Sequence, residues 1–225
     1  MKPKGRNQNE TQRSCLHLDN CTYSCDPEID NWVTQNINRV KTLTRADWLD
    51  IDNIEYQRGA YGAFSVEQKV KLWIEKFEEA LKLDWNETEY KHIKRLQEEV
   101  QNHSIWFQPN CSGPDLNCKE LFMYKWIDYA ANKLSWSNEL IYAIAFTPER
   151  LAKDKTLTQH SNHIPMTTTR SESLPRCDCH NPESAHYISC SIEDHDCISG
   201  DCNVTTWRCG WLWSEECNGL CYQRK

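Results

Sequence analysis

Apolar residues recur every three or four positions through most of the first 150 residues, the period of a helix with one buried face. The clearest stripe is Val66, Val70, Trp73, Phe77, Ala80 and Leu81. Ser65-Val66-Glu67-Gln68 stands at its head as a capping box, in which Ser and Gln each satisfy a backbone N–H left free at a helix start. Asp26-Pro27 opens an earlier helix carrying Ile29, Val33, Ile37 and Val40, with Asp as N-cap and Pro at the first helical position. Thr44 with Asp47 begins another, placing Trp48 and Ile51 on one face. Asn86 with Glu89 caps a helix with Tyr90, Ile93, Leu96 and Val100 inward. Pro114-Asp115 precedes one with Phe122, Trp126, Tyr129 and Ala130 inward, and Ser137 starts a last one with Leu140, Ile141, Ile144 and Ala145, ending before Pro148. The pattern predicts a mainly α fold, with about six helices over residues 25–150 joined by short connections. Such a bundle buries a core without metal or cofactor.

The rhythm stops outside that zone. Residues 1–24 are polar and carry Cys15 and Cys21. Residues 151–176 are rich in Ser, Thr and charge and read as a linker. Residues 177–225 hold eight of the 13 cysteines, Cys177, Cys179, Cys190, Cys197, Cys202, Cys209, Cys217 and Cys221. So short a unit, with few apolar residues, needs staples, and four disulfides of about 2–4 kcal/mol each supply them. The expected architecture is thus a helical bundle followed by a small disulfide-rich unit. Cys111 and Cys118 flank the turn-prone Ser112-Gly113-Pro114 and are expected to close it, and Cys21 with Cys25 is a further candidate pair. Eight clustered cysteines place the chain in an oxidising compartment, secreted or at the cell surface. The first residues carry charge with no apolar stretch after them, so a removed leader is the expectation.

Longer strings carry a family resemblance. The closing Cys209-Gly210-Trp211-Leu212-Trp213-Ser214-Glu215-Glu216-Cys217-Asn218-Gly219-Leu220-Cys221, with Cys177-Asp178-Cys179 upstream, resembles the tail of bacterial proteins described as bacteriocin fulvocin C-related. TRADWL (44–49), IEYQRGAYGAF (54–64), LWIEKFEEALKLDW (72–85) and YKWIDYA (124–130) resemble that family's N-terminal region. The resemblance implies a secreted bacterial protein whose C-terminal region is similar to a small four-disulfide bacteriocin. It carries over no defined activity.

Charge and candidate chemistry narrow the picture. The 225 residues hold 26 basic and 33 acidic side chains, a formal charge of −7 with no basic block, which excludes ordinary phosphate-backbone binding to nucleic acid. No apolar run approaches a membrane span. Residues 177–225 alone sum to −5, which suits a receptor- or protein-binding unit better than a cationic lytic peptide. Trp207, Trp211 and Trp213 are the candidate binding residues: exposed on a stapled unit they make a patch for a protein, a glycan or a cell-envelope target, and buried they are the core of that unit. Asp194, His195, Asp196 and Asp201 lack the spacing of a calcium loop, and Cys177, Cys179, His180, His160 and His163 lack paired zinc spacings, so neither a metal nor another cofactor is expected. No G-x-S-x-G, H-E-x-x-H or Gly-rich phosphate loop occurs, and the chain reads as a non-enzyme. Two functions follow: a tail released at Arg170 or Arg176 as a bacteriocin-like effector carried by the helical domain, or a joined, non-toxic interaction protein.

Overall fold

Local capping chemistry decides where the chain turns helical. The computed structural model describes residues 23–24, 26–109, 111–158 and 208–215, and the backbone alone at 176–177, 195–199 and 219–223. Its described residues form α1 (Pro27–Gln35), α2 (Ile37–Val40), α3 (Arg45–Leu49), α4 (Ile54–Gly62), α5 (Val66–Ala80), α6 (Glu87–Asn102), α7 (Pro114–Asn132) and α8 (Asn138–Ala145), with a 3₁₀ turn at Ser104–Phe107. Capping boxes close at Thr44 with Asp47, Ser65 with Gln68 and Asn86 with Glu89. The Asp26 carboxylate accepts from the N–H groups of Glu28 and Ile29.

Two features depart from the periodicity. The first expected helix breaks at Asn36, whose side-chain amide donates back to the Trp32 carbonyl at 2.8 Å, a side chain competing with the backbone ladder. The unforeseen α4 hides because it is buried nearly all round, taking Glu55, Gln57 and Arg58 inside along with Ala60 and Tyr61. Gly59 lets it lie close against α1: a Cβ there would sit 2.9 Å from Ile29 Cγ2 and 3.0 Å from Val33 Cγ2.

The core is aromatic. Trp48, Trp73, Phe77, Trp106, Trp126, Trp136 and Phe146 are all buried. Two of its fully enclosed rings, Trp211 and Trp213, come from the far end of the chain. Residues 208–215 close on themselves through a Cys209–Glu215 bridge, and a 3₁₀ turn at Trp211–Trp213 drives both rings and Leu212 into the helical body. Trp213 stands edge-on to Trp48 at 5.7 Å and to Tyr61 at 5.3 Å; Trp211 does the same to Trp126 at 5.4 Å and Phe146 at 5.7 Å. The inserted backbone is satisfied by the body: Lys119 Nζ donates to the Ser214 carbonyl at 2.8 Å and the Tyr61 hydroxyl to that of Leu212 at 3.2 Å. In return Trp213 Nε1 donates to the Phe146 carbonyl at 2.8 Å.

That last bond belongs to a larger device. Several carbonyls in the last turn of α8 and just beyond it lack helical donors, and basic side chains from other helices serve them. Lys76 of α5 donates to the Ala143 carbonyl at 2.8 Å and to that of Glu149, and Arg45 of α3 to that of Pro148 at 3.1 Å. Arg45 also pairs with Glu79. This is why Lys76 and Arg45 are taken into the interior.

The turn that carries the insert demands its glycine. Gly210 sits at φ 67°, ψ −154°, and a Cβ there would overlap the buried Glu215 side chain. Gly210→Ala is expected to lower stability by about 2–4 kcal/mol. Gly113→Ala, at φ 59° with open space around it, should cost only about 1 kcal/mol of backbone preference. Urea midpoints of the two variants check the contrast, and equal losses would contradict the reading of the turn.

The expected boundaries shift accordingly. The segment assigned to a linker begins as folded chain: Leu151 is buried and bridges to Leu157, and Lys155 lies 4.1 Å over the Trp85 ring and 3.8 Å from the Glu89 carboxylate. The expected Cys111–Cys118 bridge is not formed. Pro114 starts α7 so early that Cys118 is an exposed helical residue, whereas Cys111 is buried, and both are free thiols. Cys209 is in a disulfide. Cys177, Cys197 and Cys221 are described by backbone alone, in an antiparallel sheet ordered β1 (Arg176–Cys177), β3 (Gly219–Gln223), β2 (His195–Ser199) that sets Cys197 opposite Cys221. Cys21, Cys25, Cys179, Cys190, Cys202 and Cys217 lie outside the described residues.

Candidate functional site

Two of the three tryptophans expected as a binding patch in the tail are not on the surface. Trp211 is 0% and Trp213 1% exposed, so neither ring touches a ligand without unfolding the core. Nor do they make a core for the tail itself; they complete that of the helices. They do not share an extended face, because Leu212 and Trp213 take left-handed backbone at φ 53° and 49°. Trp207 lies outside the described residues. So do Asp194, Asp201, His160, His163 and His180, while His195 and Asp196 are described by backbone alone.

The surface aromatics come from helices instead. Tyr90, Leu121, Tyr124 and Tyr129 are the large hydrophobics most open to solvent. Tyr90 and Tyr129 were expected inward. Each sits one turn from a buried ring or aliphatic residue, so spacing alone placed it on the wrong side.

Tyr129 belongs to a groove between α6 and α7 of about 410 Å³. Thr88, Lys91, His92 and Arg95 recur at helical spacing along its α6 wall, and Phe122, Lys125, Trp126 and Tyr129 along its α7 wall. The two walls are locked by reciprocal bonds. His92 Nε2 lies 3.0 Å from the Trp126 carbonyl, and Trp126 Nε1 donates to the His92 carbonyl at 3.1 Å. The imidazole stacks on Trp126 at 4.4 Å and on Tyr129 at 5.0 Å, with Trp136 edge-on at 5.5 Å. Burial, helped by the nearby Arg95 charge, pushes His92 down to about 4, so it is neutral at pH 7. Its Nε2–H therefore donates to the carbonyl, leaving Nδ1 an acceptor.

The charge of this groove opposes that of the chain. Its walls hold three cations and no carboxylate in a protein of net −7. Arg95 lies over the Phe122 ring at 5.4 Å and, like Lys125, makes no ion pair within 4 Å among the described residues. Lys91 pairs at 2.5 Å with Glu87, a fully solvated contact worth little. The His92 Nε2–H is committed to the Trp126 carbonyl and its ring is held between aromatic neighbours. The arrangement suits capture of an anion with a flat or apolar body.

Comparison with protein-family models, curated proteins and solved structures finds no match to this chain. The resemblance to fulvocin C-related proteins thus rests on the strings quoted above. Among the described residues no helix is long and apolar enough to cross a membrane, and no cluster of three potential metal ligands occurs.

Proposed function

We propose that this chain is a secreted or surface-associated bacterial interaction protein that acts by binding, with its cysteine-rich tail kept as a permanent part of the helical body. One observation carries the reading: Trp211, Leu212 and Trp213 occupy the helical core. A tail released as an effector would have to withdraw two tryptophans from an apolar interior, at about 25 cal/mol per Å² of surface. The joined form among the two functions read from the sequence therefore has the better support. The disulfide at Cys209 agrees with an oxidising compartment.

Limited trypsin digestion tests this. Arg170 and Arg176 lie in the polar stretch before the tail. We expect a chain nicked there to elute as one particle under native, non-reducing conditions, with both fragments separating only in denaturant. Spontaneous departure of the 177–225 fragment from reduced, nicked protein, or its recovery alone from native culture medium, would overturn the reading in favour of a released effector.

A further inference from the structure

We propose that the α6–α7 groove binds acidic carbohydrate, a sugar ring bearing a carboxylate of the uronic acid type. This rests on the reading that the chain acts by binding. The groove's volume of about 410 Å³ lies in the range of small-ligand clefts, roughly 300–1,000 Å³. Tyr129 supplies the platform: the residue is 40% exposed, and its ring is steadied by the His92 imidazole stacked on it. The face of an aromatic ring is electron-rich and takes the slightly positive C–H face of a pyranose. Arg95 supplies the anion site. Its guanidinium rests on Phe122 and makes no ion pair among the described residues, so a bidentate carboxylate costs little ordering. Lys125 adds a second cation on the opposite wall, unpaired among the described residues, and Thr88 lines the same groove with a hydroxyl for a sugar oxygen.

Other anions fit less well. An extended acidic peptide docks by main-chain hydrogen bonds to a strand edge, and both walls here are helices whose backbone is already paired. A phosphate group favours a glycine turn or a free helix N-terminus. The start of α6 is nearby, but Asn86 and Glu89 already cap it, and Glu87 and Glu89 put acid there. Neutral sugars would leave Arg95 and Lys125 unused.

The test is calorimetric titration of the full-length chain with tri-galacturonate, alongside tri-galactose, a hexaglutamate peptide and inorganic phosphate. The expected result is saturable binding of tri-galacturonate alone, weakening as salt is raised. Arg95→Gln and Tyr129→Ala should each weaken it about tenfold or more, the loss of one charge-assisted bond or one stacked ring. Both side chains are exposed, so unchanged thermal midpoints will show that the variants fold. Equal binding of the neutral trisaccharide, preference for the peptide or phosphate, indifference to both substitutions, or no binding at all would overturn the proposal. Failure here with the nicked particle still intact would sink only the sugar assignment, whereas loss of the tail would sink the joined reading.

Discussion

Trp213→Ala should remove about 3–5 kcal/mol of unfolding free energy, a large part of the 5–15 kcal/mol typical of a domain. The ring is 1% exposed and lies between Trp48 and Tyr61 with Arg58 5.3 Å from its centroid, so nothing collapses easily into the space it leaves. Its removal also leaves the Phe146 carbonyl without its donor. Trp211→Ala should cost a similar amount, since that ring touches Trp126 and Phe146. The measurement is guanidinium unfolding followed by far-ultraviolet circular dichroism, which reports the helices and not the tail. A helical signal indifferent to Trp213→Ala, with a midpoint change worth less than about 1 kcal/mol, would mean that the tail merely rests on the body.

The second large effect is a rise of stability with pH. Lys76 is enclosed, and burial first, then the neighbouring Arg45 charge, pushes it down to about 7 in the folded chain. Unfolded, it titrates near 10.4. Between these values the unfolded chain binds the extra proton, so unfolding becomes harder as pH rises. Below pH 7 both states are protonated, and the folded state carries the full cost of the buried charge. From pH 7 to 10 the gain attributable to Lys76 is on the order of 3 kcal/mol. Lys69, pushed down by burial to about 8 beneath the Tyr61 ring, adds to it with the same sign. Tyr61, buried and raised well above its usual range, acts oppositely only above pH 10, where the unfolded phenol ionises. Urea unfolding at pH 7, 8, 9 and 10 should show the rise, and Lys76→Met should remove the larger part of it, leaving the smaller Lys69 contribution. A stability that is flat or falling over that interval in the native chain would refute the assignment.

Much of the helical body was legible because its signals are local. Ser65 with Gln68, Thr44 with Asp47 and Asn86 with Glu89 each announce a helix start within four residues, and the structure forms all three boxes. Helix α4 was not legible, because a helix buried on most sides has no polar face to set its period, and Gly59 reads as a breaker when it is there to admit Ile29 and Val33. The groove was half legible. Trp126 and Tyr129 were both assigned inward, and only the fold shows that the first closes the core while the second, one turn on, is left to solvent. The role of the tail was hidden for a different reason. Dense cysteines argue for an independent unit, and nothing within 30 residues of Trp211 shows that its partners are Trp126 and Phe146.

The Tyr61–Leu212 hydrogen bond joins residues 151 positions apart, and it sits in the middle of the core. Contacts of such separation must wait for the whole intervening loop to close, which slows folding and raises contact order. A chain emerging from the ribosome at about 5–20 residues per second therefore cannot complete this core until residue 213 is out. Its early helices pair while the interior still lacks Trp211 and Trp213. Tight packing of this interior therefore waits on residues 211–213, long after the helices they complete have been made.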